Sequence, residues 1–166
     1  MNDQATPTAV RRTITVKAPI ERAFQVFTDG FDTWWPRTHH IGTAEMAEAV
    51  LEPWQDGRWF ERGVDGSECE WGRVLAWDPP RLVAVSWHLD SAFQYDPDPT
   101  RSSRVDVRFS ASDEVTTVVE LEHSNLDRHG PGWEKLYEGV SSPGGWGTLL
   151  DRFAESSAQA GASERT

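Results

Sequence analysis

The sequence predicts an α+β domain in which a curved antiparallel sheet of about six or seven strands wraps a long C-terminal helix. Short alternating segments follow one another in a block, joined by tight turns. The helical patterns are segregated from that block rather than interleaved with it, which argues against an alternating parallel sheet. Only the last helical pattern is long enough to cover the sheet's apolar face.

Taken in order, residues 1–9 are polar and read as a disordered leader. Val10, Arg12, Ile14 and Val16 alternate with Arg11, Thr13, Thr15 and Lys17. Arg12 is the one misfit on the apolar side, so this is a half-buried strand. Pro19 suits a first helical position, and Ala23, Phe24, Val26 and Phe27 give a short amphipathic helix. Asp29-Gly30 breaks it, and residues 31–36 form a second short helix carrying Trp34 and Trp35. Residues 39–43 are a loop. Strands are expected over 48–53, 58–62, 70–77 and 81–89, separated by Gln55-Asp56-Gly57, Asp65-Gly66 and the rigid corner Asp78-Pro79-Pro80.

Residues 91–101, with their prolines and aspartates, read as a long mobile loop. In the strand 104–110, Val105, Val107 and Phe109 face one way. In 115–123, Val115, Thr117, Val119, Leu121 and His123 share a face, and Ser112-Asp113-Glu114 is the hairpin between the two strands. A short helical piece follows at 133–138. Ser141-Ser142-Pro143 signals a helix start. Trp146, Leu149, Leu150 and Phe153 then give the stripe of a helix burying one face. The domain is placed at 10–157 and a disordered tail at 158–166. Because the two short helices hold one end of the sheet away from the final helix, a cavity between sheet and helix is expected.

Composition narrows the partners. The chain has 166 residues, a length that suits one domain, and nine tryptophans, which suggest a core or cavity built from aromatic bulk. A formal net charge of −11, with no Lys/Arg run, excludes a basic footprint for nucleic acid or an anionic membrane. No apolar stretch approaches the roughly 20 residues of a membrane span. The N-terminus lacks a signal-peptide pattern, so the expected location is cytoplasmic. Cys69 is the single cysteine; it allows no internal disulfide or cysteine-based metal cluster and reads as a small core residue.

An ordered set of segments then carries a family resemblance. It comprises Val16-Lys17-Ala18-Pro19-Ile20-Glu21-Arg22-Ala23-Phe24, Trp34-Trp35, Gly57-Arg58-Trp59-Phe60 and Gly72-Arg73-Val74-Leu75-Ala76-Trp77-Asp78-Pro79-Pro80-Arg81-Leu82. Ser86-Trp87, Thr116-Thr117-Val118-Val119-Glu120-Leu121-Glu122-His123 and Gly144-Gly145-Trp146 complete it. Together, over about residues 10–155, they resemble the bacterial stand-alone branch of the family named for activators of the heat-shock-protein-90 ATPase (AHSA-type). That family lies in the START-like, SRPBCC superfamily with the birch-pollen-allergen fold. The resemblance implies a helix-grip fold with a deep cavity. Superfamily members use it for lipids, sterols, polyketides or plant hormones, and a minority perform cyclase or hydrolase chemistry there. Nothing resembles the additional chaperone-binding domain of the eukaryotic co-chaperones.

Trp34, Trp35, Trp59, Trp71, Trp87 and Trp146 fall on elements that should line or cap such a cavity, with Phe109 on an inward strand position. His123 ends an apolar strand face and could orient a ligand or exchange a proton, and Arg58 is a second candidate polar tip. His88 should point outward if Trp87 points inward. His39-His40 is an adjacent loop pair with no third residue spaced to complete a metal site. There is no Gly-x-Ser-x-Gly, no base beside Cys69, and no phosphate loop at Gly130-Pro131-Gly132 or Gly144-Gly145-Trp146-Gly147. Glu68/Glu70 and Glu120/Glu122 are the solvated face of their strands.

The leading expectation is therefore binding of a small hydrophobic or amphipathic molecule in the cavity, with no catalytic residue, metal or cofactor assigned. The alternatives are a cyclase- or hydrolase-type enzyme in the same cavity, and a chaperone-associated or homodimeric interaction factor using an exposed sheet edge.

Overall fold

The computed structural model describes residues 8–92 and 94–163. The first strand β1 (Val10–Val16) is followed by two short helices, α1 (Ile20–Phe27) and α2 (Phe31–Trp34). Six strands come next: β2 (Met46–Leu51), β3 (Arg58–Gly63), β4 (Glu68–Asp78), β5 (Leu82–Trp87), β6 (Ser103–Asp113) and β7 (Thr116–Ser124). The chain closes with α3 (Trp133–Ser141) and α4 (Thr148–Ser163). The strands form one seven-stranded sheet in the order β1-β7-β6-β5-β4-β3-β2. Every neighbouring pair is antiparallel. β1 and β2, adjacent in sequence among the strands, are the two edges, so α1 and α2 carry the chain from one edge to the other. The sheet curls around the C-terminal helix, which is the helix-grip architecture the sequence predicts.

Alternation explains which face is covered. In β7, Thr117, Val119, Leu121 and His123 are buried while Glu120 is exposed. Val115, expected on that same face, instead sits in the preceding turn and is 53% exposed. The hairpin claims it: Asp113 Oδ1 accepts the Val115 amide at 2.9 Å. Beneath the sheet a ring cluster ties the helices down. Phe24 and Phe109 are 5.1 Å apart, and Phe27 and Phe153 5.2 Å. These are edge-to-face contacts of the kind aromatic quadrupoles favour.

β4 and β5 approach unusually closely at Gly72. A Cβ there would stand 1.7 Å from the Ser86 carbonyl oxygen, so only glycine fits. The register of β3 against β4 shifts at the same place, pairing Trp59 with Gly72 but Phe60 with Glu70. Trp71 is thus the extra residue of a β-bulge, a device that re-aims a side chain.

Other segments depart from the expected pattern. Ser141 ends α3 rather than starting the last helix, and its hydroxyl donates back to the Tyr137 carbonyl at 2.6 Å. Residues 143–147 form a kinked turn, with Gly145 at φ −90°, ψ −131°, before α4 begins at Thr148. α4 keeps a helical backbone to Ser163, past the expected boundary at 157. Of the expected leader, residues 1–7 lie outside the described residues, while the Thr8 carbonyl accepts the Leu126 amide at 3.0 Å. Residues 164–166 of the expected tail also lie outside them. The 91–101 segment is tied by side-chain-capped turns, with Asp90 Oδ1 accepting the Ala92 and Gln94 amides and Asp98 Oδ1 that of Thr100.

Candidate functional site

A cleft of about 360 Å³ opens where the loop after α2, the inner face of β4 and β5, and the α3–α4 junction meet. Its walls are four indoles, Trp35, Trp71, Trp87 and Trp146. Leu89, Val140 and Leu149 add apolar surface, and Thr38, His39, His40 and Ile41 form one rim. Trp35 and Trp71 lie 5.3 Å apart at 39°, and Trp87 and Trp146 5.8 Å apart at 63°.

Each of these four indoles spends its N–H inside the protein. Trp35 donates to the His39 carbonyl at 3.0 Å, and Trp87 to that of Leu89 at 2.9 Å. Trp71 donates to Glu61 Oε1 at 3.0 Å and Trp146 to His123 Nδ1 at 3.1 Å. The walls therefore offer π-faces and C–H edges, and the polar side chains come from the 38–40 rim.

Glu61 holds that rim in place. It lies two residues after Trp59, on the same strand face, and is 2% exposed. Besides Trp71, its carboxylate accepts the Ile41 amide at 2.6 Å and the Gly42 amide at 3.1 Å. A fully hydrogen-bonded buried carboxylate fixes two walls relative to each other, because leaving any partner unmade carries a desolvation cost. Sequence reasoning passed over Glu61. The signal was present in the period-2 spacing that puts this acid on the inward face of Trp59.

His40 sits on the same rim. Its Nδ1 is 3.0 Å from the Gly42 carbonyl and 3.9 Å from Glu61 Oε2. A carbonyl only accepts, so Nδ1 carries the proton of the neutral ring and Nε2 is left as an acceptor. His39 and His40, expected only as an adjacent loop pair, both line the cleft.

His123 is not in the cleft lining. It lies fully buried behind Trp87, with ring centroids 4.9 Å apart. Its Nδ1 accepts from Trp146, so Nε2 carries the proton and donates to Ser103 Oγ at 2.8 Å. The Ser103 hydroxyl can then donate to His129 Nε2, also at 2.8 Å. This directional chain ends at His129 Nδ1, which has no partner among the described residues. Burial, with a smaller contribution from His129, pushes His123 down to about 3. Burial likewise pushes His129 down to about 4. Both are neutral near pH 7, and His123 supports the Trp146 wall from behind.

The remaining candidates lie elsewhere in the fold. Trp59 is buried between Trp71 and Trp87, at 5.4 and 5.6 Å. Trp34 packs against Phe153 under α4, with its N–H donated to the Val26 carbonyl at 3.1 Å. Phe109 belongs to the ring cluster beneath α1. Arg58 turns to the outer face, because Trp59 takes the inner one; its guanidinium stacks 4.1 Å over Phe60 and pairs with Glu52 and Glu68. His88 does face away from Trp87, but it is buried rather than solvated. It bonds Ser86 Oγ at 2.9 Å and the Asp96 carbonyl at 2.8 Å, with Tyr95 packed on it. Cys69 is half-buried inside β4, and its thiol is pushed up by burial and by the neighbouring Glu61. Among the described residues no three His, Cys, Asp or Glu side chains converge as a metal site, and no helix is long and apolar enough to cross a membrane.

Comparison with known proteins agrees with this architecture. The profile of the family described as activator of Hsp90 ATPase homolog 1-like protein matches residues 17–157. The solved structure of Txn09, an anthrahydroquino-γ-pyrone synthase, is 39% identical, with 90% of this chain and 96% of that chain covered and a TM-score of 0.64. CalC from Micromonospora echinospora, a self-sacrificing resistance protein, is 28% identical, with 93% and 96% covered and a TM-score of 0.66. Protein NE0264 from Nitrosomonas europaea shares the fold at 14% identity, with 92% and 96% covered and a TM-score of 0.64. Among curated proteins, none matches the sequence.

Proposed function

The chain belongs to the family of activator of Hsp90 ATPase homolog 1-like proteins, and from that premise we propose that it binds a small, planar, largely hydrophobic molecule in the four-tryptophan cleft. The observation that carries this reading is that all four wall indoles satisfy their N–H groups within the protein. Such walls reward a ligand that stacks and offer it no indole hydrogen bond. The cleft volume of about 360 Å³ falls in the lower part of the range for small-molecule sites, and a mostly apolar lining with a few convergent polar groups is their usual composition. The 39% identity to Txn09, an anthrahydroquino-γ-pyrone synthase, supports the same ligand class.

A second reading, a cyclisation catalyst in the same cleft, is favoured by that relationship together with the two histidines on the rim. Both readings start from binding. Quenching of tryptophan fluorescence by a panel of hydroxyanthraquinones, flavones and fatty acids tests it. Saturable quenching by the planar aromatics is expected. A flat response to all of them, with native mass spectrometry showing no adduct, sinks both readings.

A further inference from the structure

The rim carries an arrangement that a passive pocket does not need, and we propose that His40 Nε2 is the proton acceptor for an acidic phenolic hydroxyl on the bound planar aromatic. This rests on the proposed binding in the cleft. Four observations lead to it. His40 lines a cleft whose walls are indole and aliphatic and whose rim also carries Thr38 and His39. Its Nδ1 is committed to the Gly42 carbonyl at 3.0 Å, which fixes the tautomer and leaves Nε2 with a lone pair. Nε2 has no partner among the described residues. The Glu61 carboxylate stands 3.9 Å behind Nδ1, where it meets the positive charge that the ring gains on protonation.

Glu61 is itself immobilised by Trp71 and by the Ile41 and Gly42 amides, so the ring and its counter-charge are held on one rigid frame. A carboxylate behind the far nitrogen of a histidine is the arrangement that stabilises an imidazolium in general-base chemistry. In the step itself the O–H bond breaks with its electron pair left on the phenolic oxygen, and an N–H bond forms at Nε2. Nothing is oxidised or reduced. The product is a phenolate beside an imidazolium, a nucleophile made without any co-reactant.

The substrate class follows from the two halves of the site. The indoles select a fused planar ring system, and a rim base selects a hydroxyl on its edge. His123, the histidine singled out by sequence pattern, cannot serve, because both of its nitrogens are used inside the protein.

The test uses the full chain and 2-hydroxyanthraquinone, at a pH where the free probe is neutral. Binding is read from tryptophan quenching, and ionisation from the long-wavelength absorption band that the probe shows in alkaline buffer. Wild type is expected to quench and to display the anion band. His40→Gln is expected to quench with an affinity within about ten-fold of wild type while the band stays that of the neutral probe. His40→Ala is the second variant if the first misfolds by circular dichroism. Quenching with a neutral band in wild type overturns the role of His40 and leaves binding standing. An anion band retained in both variants does the same. Absence of quenching in wild type overturns the binding reading, and this proposal with it.

Discussion

Trp71 donates its indole N–H to Glu61 Oε1 at 3.0 Å, and this one bond joins a wall of the cleft to the residue that anchors its rim. The bulge in β4 aims the indole, and the strand period of β3 aims the acid. Neither would be placed without the other, since an inward carboxylate needs donors and the displaced indole needs an acceptor.

Replacing Glu61 with alanine orphans three N–H groups at once, those of Trp71, Ile41 and Gly42. At the usual cost of unpaired buried donors, a loss of about 2–4 kcal/mol in unfolding free energy is expected. Urea denaturation measures it. Hydrogen exchange at the Ile41 and Gly42 amides should speed up by more than the global loss of stability explains. Unchanged exchange there would show that the rim is held by something else.

The split between what was legible in the sequence and what was not follows from this pair. Alternation placed every strand to within a few residues, because one apolar face per strand writes a period of two. Leu149, Leu150 and Phe153 of the apolar stripe located the last helix by its 3.6-residue period, while Trp146 falls in the kinked turn before it. A bulge has no period, so the direction of Trp71 was not readable. Nor was the division of labour between Trp35, which lines the cleft, and its neighbour Trp34, whose ring lies 5.8 Å away but packs on Phe153 instead. His123 was correctly placed on the inner face, but inner face and cleft differ when a layer of indoles stands between them. Glu61 was missed because a carboxylate on an inward position looks like an error until its donors, distant in sequence, are seen.

The buried histidines make stability depend on pH from about 6.5 downward, a dependence that begins above the range where ordinary carboxylates titrate. In the fold His123 remains neutral down to about 3 and His129 to about 4, whereas in the unfolded chain each takes up a proton near its ordinary value of 6.5. Between those limits only the unfolded chain binds the protons. Stability is therefore full above the unfolded value and falls as pH drops below it, by about 1.4 kcal/mol per pH unit for each histidine. Urea unfolding at pH 7, 6 and 5 should show this slope. His129→Gln, which keeps an acceptor for Ser103, should remove about half of it; an unchanged slope would mean that His129 titrates normally in the fold.

Gly72 and Gly147 should respond oppositely to the same change. A Cβ at Gly72 would meet the Ser86 carbonyl oxygen at 1.7 Å, between two paired strands that cannot separate. Gly72→Ala is expected to cost about 3 kcal/mol or more. At Gly147 nothing lies within 4 Å of the added methyl and the backbone angle is ordinary. Gly147→Ala should be neutral or stabilise by about 0.4–1 kcal/mol, through the unfolded chain. Thermal melts of the two variants side by side check the contrast. A mild Gly72→Ala would indicate that β4 and β5 can part there.

Cleft binding should depend on Trp35 and be indifferent to Trp54. Trp35 lines the cleft between Trp71 and Trp146, with ring separations of 5.3 and 6.4 Å. Trp54 lies in the turn before β3 and is 53% exposed, away from the lining. Replacing the Trp35 indole with leucine keeps apolar bulk but removes a stacking face, a loss of about 1 kcal/mol beyond area, or roughly five-fold in affinity. Trp54→Leu should bind a planar aromatic as wild type does, with only the total fluorescence lowered. The two titrations, each corrected for its own starting intensity, give the comparison. Equal weakening in both would mean that the aromatic adheres to exposed indoles at large, and affinity unchanged in Trp35→Leu would move the binding site out of this cleft.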